Sequence, residues 1–130
     1  RAERGFGGVV VHRPVAEVLF RGTGGRAIRE YLYVDSGADH TLIPLRLGRT
    51  LGLSAGEERE VRGIAGMAKV VYAELEIELA GLTFRAPVAW AQTDDVPVLL
   101  GRAGVFDRFD ITFAQARRVV LFRPAGEGRA

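Results

Sequence analysis

The chain contains no cysteine, and among its 130 residues there are one methionine, one tryptophan and two histidines. Without thiols it can form no disulfide, no thiolate metal site and no cysteine nucleophile, and the redox character of its compartment goes unmarked. His12 and His40 lie far apart and share no metal-ligand spacing, so both read as surface or loop residues and no metal or organic cofactor is expected. No apolar run approaches the ~20 residues of a membrane-spanning helix. No signal peptide is visible. Cytoplasm is then the default expectation for the compartment, and a membrane is not an expected partner. Charge is also unextreme: 18 Lys+Arg against 16 Asp+Glu leave +2, and the arginines are scattered rather than massed, which argues against a nucleic-acid partner.

What the chain does have is glycine, 17 residues of it, and a hydrophobic content of 48%. That is enough apolar material for one core, and the glycines predict many turns, so the expectation is a single domain over 1–130 with an ordered core at about 9–123 and loose ends. Short runs bounded by turn residues predict strands from Val9, over Val15–Phe20, and over Ala27–Val34. Gly22-Thr23-Gly24-Gly25 reads as a tight turn between the last two. From Pro44 to Leu53, Leu45, Leu47 and Leu51 mark one short helix.

Further on, Lys69–Leu79 alternates, with Tyr72, Glu74, Glu76 and Glu78 on one side and Val71, Ala73, Leu75, Ile77 and Leu79 on the other: a half-buried strand with an acidic outer face. It pairs with Glu60–Arg62 across a glycine-bearing tip. Thr83–Trp90 is another strand, and Pro87 within it argues for an edge position or a bulge. Val96–Leu100 is wholly apolar and reads as a central strand, Arg102–Phe109 as a helical turn, and Asp110–Phe113 and Arg118–Phe122 as the closing strands. The fold class is all-β, a small closed barrel with one short helix.

The most informative stretch is Tyr31–Pro44, Y-L-Y-V-D-S-G-A-D-H-T-L-I-P. An apolar strand delivers one carboxylate, Asp35, onto a turn built from Ser36, Gly37 and Ala38, and a second apolar run follows at Thr41–Pro44. Asp-Ser-Gly is also an ordinary turn sequence, because Asp and Ser bond nearby backbone and Gly accepts positive φ. His40 offers Ser36 a base four residues away, but no oxyanion or third-partner pattern accompanies a serine nucleophile. The second stretch is Val98-Leu99-Leu100-Gly101-Arg102, a buried run ending in a glycine that allows another backbone to come close.

Together, and in this order, the two stretches resemble the retropepsin-like aspartic proteases, with the glycine-tipped hairpin between them in the place of the flap. The resemblance spans about residues 27–113. It implies an acid-protease barrel in which Asp35 is the catalytic aspartate. Ser36, where the family usually has threonine, would brace the paired loop of a second subunit, and Gly37 would let substrate and that loop approach. Ala38 and Asp39 would bind substrate backbone, with Arg102 placed to pair with Asp39. The flap would carry Gly63, Ile64, Ala65, Gly66 and Met67, the glycines giving it mobility. Leu99 would line a specificity pocket, and Leu100, Gly101 and Arg102 would support the loop. The chemistry requires two carboxylates sharing one proton. Only one Asp-Ser-Gly is present, since Asp94-Asp95 lacks the glycine turn and reads as a loop. The expected state is therefore a homodimer hydrolysing polypeptides, with a catalytically silent dimerisation or peptide-binding barrel as the rival reading.

Overall fold

The computed structural model describes residues 2–4, 10–12, 14–54, 58–63 and 66–125, with side chains at 14–54 and 69–125. The strands are β1 (Ala2–Arg4), β2 (Val10–His12), β3 (Val15–Arg21), β4 (Ala27–Val34), β5 (Thr41–Ile43), β6 (Glu58–Gly63), β7 (Gly66–Leu79), β8 (Leu82–Ala91), β9 (Leu99–Leu100), β10 (Phe109–Ala114) and β11 (Val119–Pro124). The single α-helix among the described residues, α1, is Leu45–Thr50. The all-β class with one short helix is what the sequence predicts.

The main sheet runs β3-β4-β9-β5-β8-β7-β6, and a further pairing of Leu19–Arg21 in β3 with Glu76–Glu78 in β7 closes the strands from β3 to β7 into a ring, leaving β6 outside it. Alternation places the core. Val18 and Phe20 of β3, Leu32 and Val34 of β4, Ile43 of β5, Leu75 and Ile77 of β7, Val88 of β8 and Leu100 of β9 belong to one buried cluster. Each such side chain removed fully from water is worth about 1.5–3 kcal/mol. The acidic side of β7 faces outward, where Glu76 and Glu78 pair with Arg21, and Glu74 with Arg85. These exposed pairs add little each. The β7–β8 hairpin closes on Ala80 and Gly81 at φ 51° and 82°, the left-handed pair that suits the twist of a two-residue turn.

Pro87 does not put β8 on an edge. The strand lies between β7 and β5, but β5 pairs only with Val88–Trp90. Pro87 falls one residue before that segment, so its missing N–H costs no ladder bond to β5. The predicted strand Val96–Leu100 shrinks to Leu99–Leu100, the two residues that pair with β4, of which Leu99 also pairs with β5.

Helix α1 is anchored from the β8–β9 loop. The Arg46 N–H donates to Asp94 Oδ1 (2.7 Å), and the Leu45 N–H to the Thr93 carbonyl (3.1 Å). Asp94 thus satisfies a free helix-end donor, a capping role for a loop residue. On the same side Trp90 donates from Nε1 to the Leu45 carbonyl (3.1 Å), and Leu47 and Leu51 are buried. At the far end, β10 and β11 form a two-stranded sheet of their own. Phe109 in it meets Phe84 and Phe122 edge-on, at centroid distances of 5.9 and 5.4 Å.

Candidate active site

The site is built where β9 passes through the β4–β5 connection. β4 and β9 run parallel, with Tyr33 opposite Leu99 and Val34 opposite Leu100, while β5 meets β9 antiparallel at Leu42 and Leu99. Backbone bonds continue the lacing past the strand ends. The Tyr33 N–H donates to the Val98 carbonyl (3.0 Å) and the Asp35 N–H to the Leu100 carbonyl (3.0 Å). From the other side, Arg102 donates its N–H to the Ala38 carbonyl (3.0 Å) and Ala103 to the Asp39 carbonyl (2.8 Å). A loop whose polar backbone is satisfied in this way has a fixed conformation.

Gly101 stands at the crossing. A Cβ there would lie 2.3 Å from both the carbonyl carbon and the carbonyl oxygen of His40, so no side chain fits. Its own buried N–H donates to the hydroxyl of Thr41 at 3.1 Å. Thr41 is fully buried. Its hydroxyl therefore answers a donor that the crossing would otherwise leave unpaired.

Within the loop, the half-buried Asp35 accepts the Gly37 N–H on Oδ1 at 2.9 Å, and the Ala38 N–H donates to the Asp35 carbonyl at 3.1 Å. Ser36 and Gly37 are exposed. Arg102 grips the same loop from outside: Nη1 donates to the Ser36 carbonyl at 2.6 Å, and Nη2 pairs with Asp39 Oδ1. The pair is solvent-exposed, so its Coulomb attraction contributes little. Its effect is geometric, since one planar fork holds two points of the loop.

The structure thus brings Asp35, Ser36, Gly37, Ala38, Asp39, Leu99, Leu100, Gly101 and Arg102 into one neighbourhood. Of the hairpin residues, Gly63 and Gly66 face each other as the last described pair of β6 and β7. Ile64 and Ala65 lie outside the described residues, as does the side chain of Met67. Among the described residues no group of His, Asp and Glu is arranged to hold a metal.

Two residues of this neighbourhood carry roles that sequence reading did not assign. Thr41 was visible only as part of an apolar run. His40 is half-buried, and its ring sits edge-on to Tyr72 of β7 with centroids 5.1 Å apart. No hydrogen bond between His40 and Ser36 is present, which leaves the serine-nucleophile alternative without a base.

Comparison with known proteins places this arrangement. A family model described as aspartyl protease matches residues 24–103, which contain both the Asp35 loop and the Leu99–Arg102 crossing. No curated protein sequence matches the chain. Among solved structures, the EIAV protease complexed with the inhibitor HBY-793 is similar, at a TM-score of 0.54 and 20% identity, over 69% of this chain and 82% of its own. That likeness is one of fold, a retropepsin-like one. With the family model covering more than half of its length, the chain belongs to the aspartyl protease family.

Proposed function

We propose that the protein is an aspartic endopeptidase that works as a homodimer, with one Asp35 from each chain forming the catalytic pair. The observation that carries this is the single half-buried carboxylate of Asp35 on the loop laced to β9, in a chain with no second Asp-Ser-Gly or Asp-Thr-Gly. One chain supplies half of a dyad, and a two-fold axis supplies the rest.

In that dimer the two carboxylates share one proton, because like charges ~3 Å apart cannot both ionise. The ionised carboxylate takes a proton from water as its oxygen attacks the peptide carbonyl carbon. The protonated one gives its proton to the carbonyl oxygen. The tetrahedral intermediate then breaks its C–N bond: the departing nitrogen receives the proton taken up from water, and one hydroxyl of the intermediate gives its proton to the other carboxylate as the carbonyl re-forms, which restores the dyad. No cofactor enters. The Gly37 N–H fixes one oxygen of Asp35, the exposed Ser36 hydroxyl braces the partner's loop, and Ala38 and Asp39 bind substrate backbone. Leu99 lines a side-chain pocket, and the β6–β7 hairpin, with Gly63, Ile64, Ala65, Gly66 and Met67, covers the substrate.

The test is Asp35→Asn. Cleavage of peptides should disappear while the melting transition stays near that of the wild type, and mixed dimers of wild-type and Asp35→Asn chains should be inactive. Specific activity should rise with protein concentration and level off as the dimer saturates. Each turnover needs one carboxyl protonated and one ionised, so activity should fall toward alkaline pH. Cleavage surviving in a clean Asp35→Asn preparation would sink the assignment. Intact association without cleavage at any pH would favour the silent barrel.

A further inference from the structure

Exposed apolar side chains and surplus charge gather on one element, the β10–β11 hairpin. Among the described residues four large hydrophobic side chains are exposed, and three of them, Phe113, Val119 and Leu121, lie there. Phe109–Pro124 also carries Arg117, Arg118 and Arg123 against the single acid Asp110, a net of +2. The whole chain has the same net of +2, so the rest of it is balanced. Single apolar residues scattered over a surface need no explanation, but a group of them beside unbalanced charge marks a contact surface.

The order of these groups is regular. Alternation puts Val119, Leu121 and Arg123 of β11 on the outer face, where Arg123 reaches across to Asp110 at 4.0 Å. Arg117 and Arg118 stand just before Val119 at the turn end, and among the described residues neither has an acidic partner. Arg118 takes the left-handed conformation at φ 59°, so a cation stands where backbone preference alone would put glycine. From the turn outward, the face therefore reads cation, apolar, apolar, cation. Its edge is open as well. Among the described residues β10 and β11 pair only with each other, which leaves the backbone N–H and C=O groups on the outer edge of β11 without a neighbouring strand.

We propose that this face and edge of β11 dock an extended acidic segment of a partner protein, which adds as a strand and carries acid, apolar, apolar and acid at alternate positions. Strand addition gives the edge its main-chain partners, and the alternate side chains select the occupant. Cross-strand neighbours then set apolar residues against Val119 and Leu121, and carboxylates near Arg123 and near the Arg117–Arg118 turn. An anionic membrane would meet the arginines but would offer the open edge no strand to pair with. A second copy turned about a two-fold axis would set the same arginines against one another. Such docking needs no cleavage, so it stands apart from the protease reading.

The probe is a labelled peptide, Glu-Thr-Leu-Thr-Val-Thr-Glu, with binding to the Asp35→Asn chain read by fluorescence anisotropy; that substitution keeps the probe intact. Control probes carry Lys in place of both Glu, or N-methyl groups on one alternate set of residues or on the other. Exchange of Glu for Lys should weaken binding by about tenfold or more. Arg117→Ser together with Arg118→Gly should weaken it by about tenfold, the worth of two exposed ion pairs. Glycine suits the left-handed backbone at Arg118, so the melting transition should not fall. Leu121→Ser should weaken binding by about fivefold. Of the two N-methylated probes, one should bind like the parent and the other should fail, because only alternate N–H groups of an added strand face the edge. Equal behaviour of those two probes, no binding of the parent probe, or binding unmoved by the hairpin substitutions overturns the proposal. If the parent probe fails while the wild-type chain binds vesicles containing phosphatidylserine, the face is a membrane contact instead. If the hairpin substitutions weaken self-association in sedimentation and leave peptide binding unchanged, the face belongs to a second copy.

Discussion

Between Tyr33 and Ala103 the chain is held by backbone bonds across three strands, by a glycine with no room for a methyl group, and by a buried hydroxyl bonded to that glycine. The β10–β11 hairpin is held differently. Among the described residues it pairs with no other strand, and it rests on the core through one face, where Phe109 is buried and Ile111, Val120 and Phe122 are partly buried. Its other face carries Val119 and Leu121 in the open, and Phe113 is exposed at its turn end, at 43%, 47% and 47% exposure. The first region leaves almost no alternative geometry, because directional bonds fix it from several sides. The second depends on area burial alone, which fixes that a hairpin packs but tolerates changes on its outer face. A catalytic carboxylate belongs in the first kind of region, and a surface for association in the second.

The largest effect expected from breaking this contrast is at Gly101. A Gly101→Ala methyl would meet backbone atoms of His40 that are themselves tied into the loop, and rigid overpacking costs typically 1–3 kcal/mol, sometimes more. With two contacts at 2.3 Å the upper end applies, and the loss should be about 3 kcal/mol or more. Denaturant unfolding measures it. A Gly101→Ala chain as stable as wild type would mean that the crossing is looser than described.

Thr41→Val is the next. It keeps the shape of the side chain and removes the acceptor for the Gly101 N–H in a fully buried place. An orphaned buried donor costs about 1–3 kcal/mol, so a loss near 2 kcal/mol is expected. Thr41→Ser, which keeps the hydroxyl, should recover most of the hydrogen bond. A Thr41→Val chain as stable as wild type, with the loss falling on Thr41→Ser instead, would show that the methyl, not the hydroxyl, matters.

Sequence reading reached these two regions unequally. Ala27–Val34 was legible as a strand to the residue, because an apolar run ends there in Asp35 and a turn. The alternation of Lys69–Leu79 gave the buried side of β7 correctly, since period-2 burial needs no knowledge of partners. The Asp35 loop and the Leu99–Arg102 stretch were visible as separate motifs. The ring closure between β3 and β7 was not legible, because it depends on which strands meet and not on any local pattern. Pro87 misled for the same reason: it argues against a ladder bond at one residue, and β5 is too short to demand one there. Val96–Leu100 is a shorter strand than its apolar run suggests because apolar character marks burial, while a strand also needs paired neighbours; only Leu99 and Leu100 pair with β4, and only Leu99 with β5. The Thr41 hydroxyl and the His40–Tyr72 contact escaped because each partner lies about sixty or thirty residues away along the chain, and only the fold brings them together.

The smallest effect on stability, and the sharpest test of the contrast, is Leu121→Lys. Leu121 lies opposite Thr112 on the outer face of the hairpin, beside the exposed Arg123–Asp110 pair and away from the aromatic contacts that seat the other face. Substitutions at such positions usually stay within ~0.5 kcal/mol. Unfolding of the dilute protein should therefore hardly change. If the proposed homodimer uses this terminal sheet, however, the same lysine would meet a second copy on an apolar surface, and its ammonium would lose water without gaining a partner. Sedimentation velocity across a dilution series should then show weaker association, and the protein concentration at which specific activity levels off should rise by about tenfold. A Leu121→Lys chain that associates like wild type would place the two-fold contact elsewhere and leave the outer face of β10–β11 to solvent. A large loss of stability instead would mean that this hairpin is fixed as tightly as the Asp35 loop, and the distinction between the two regions would fall.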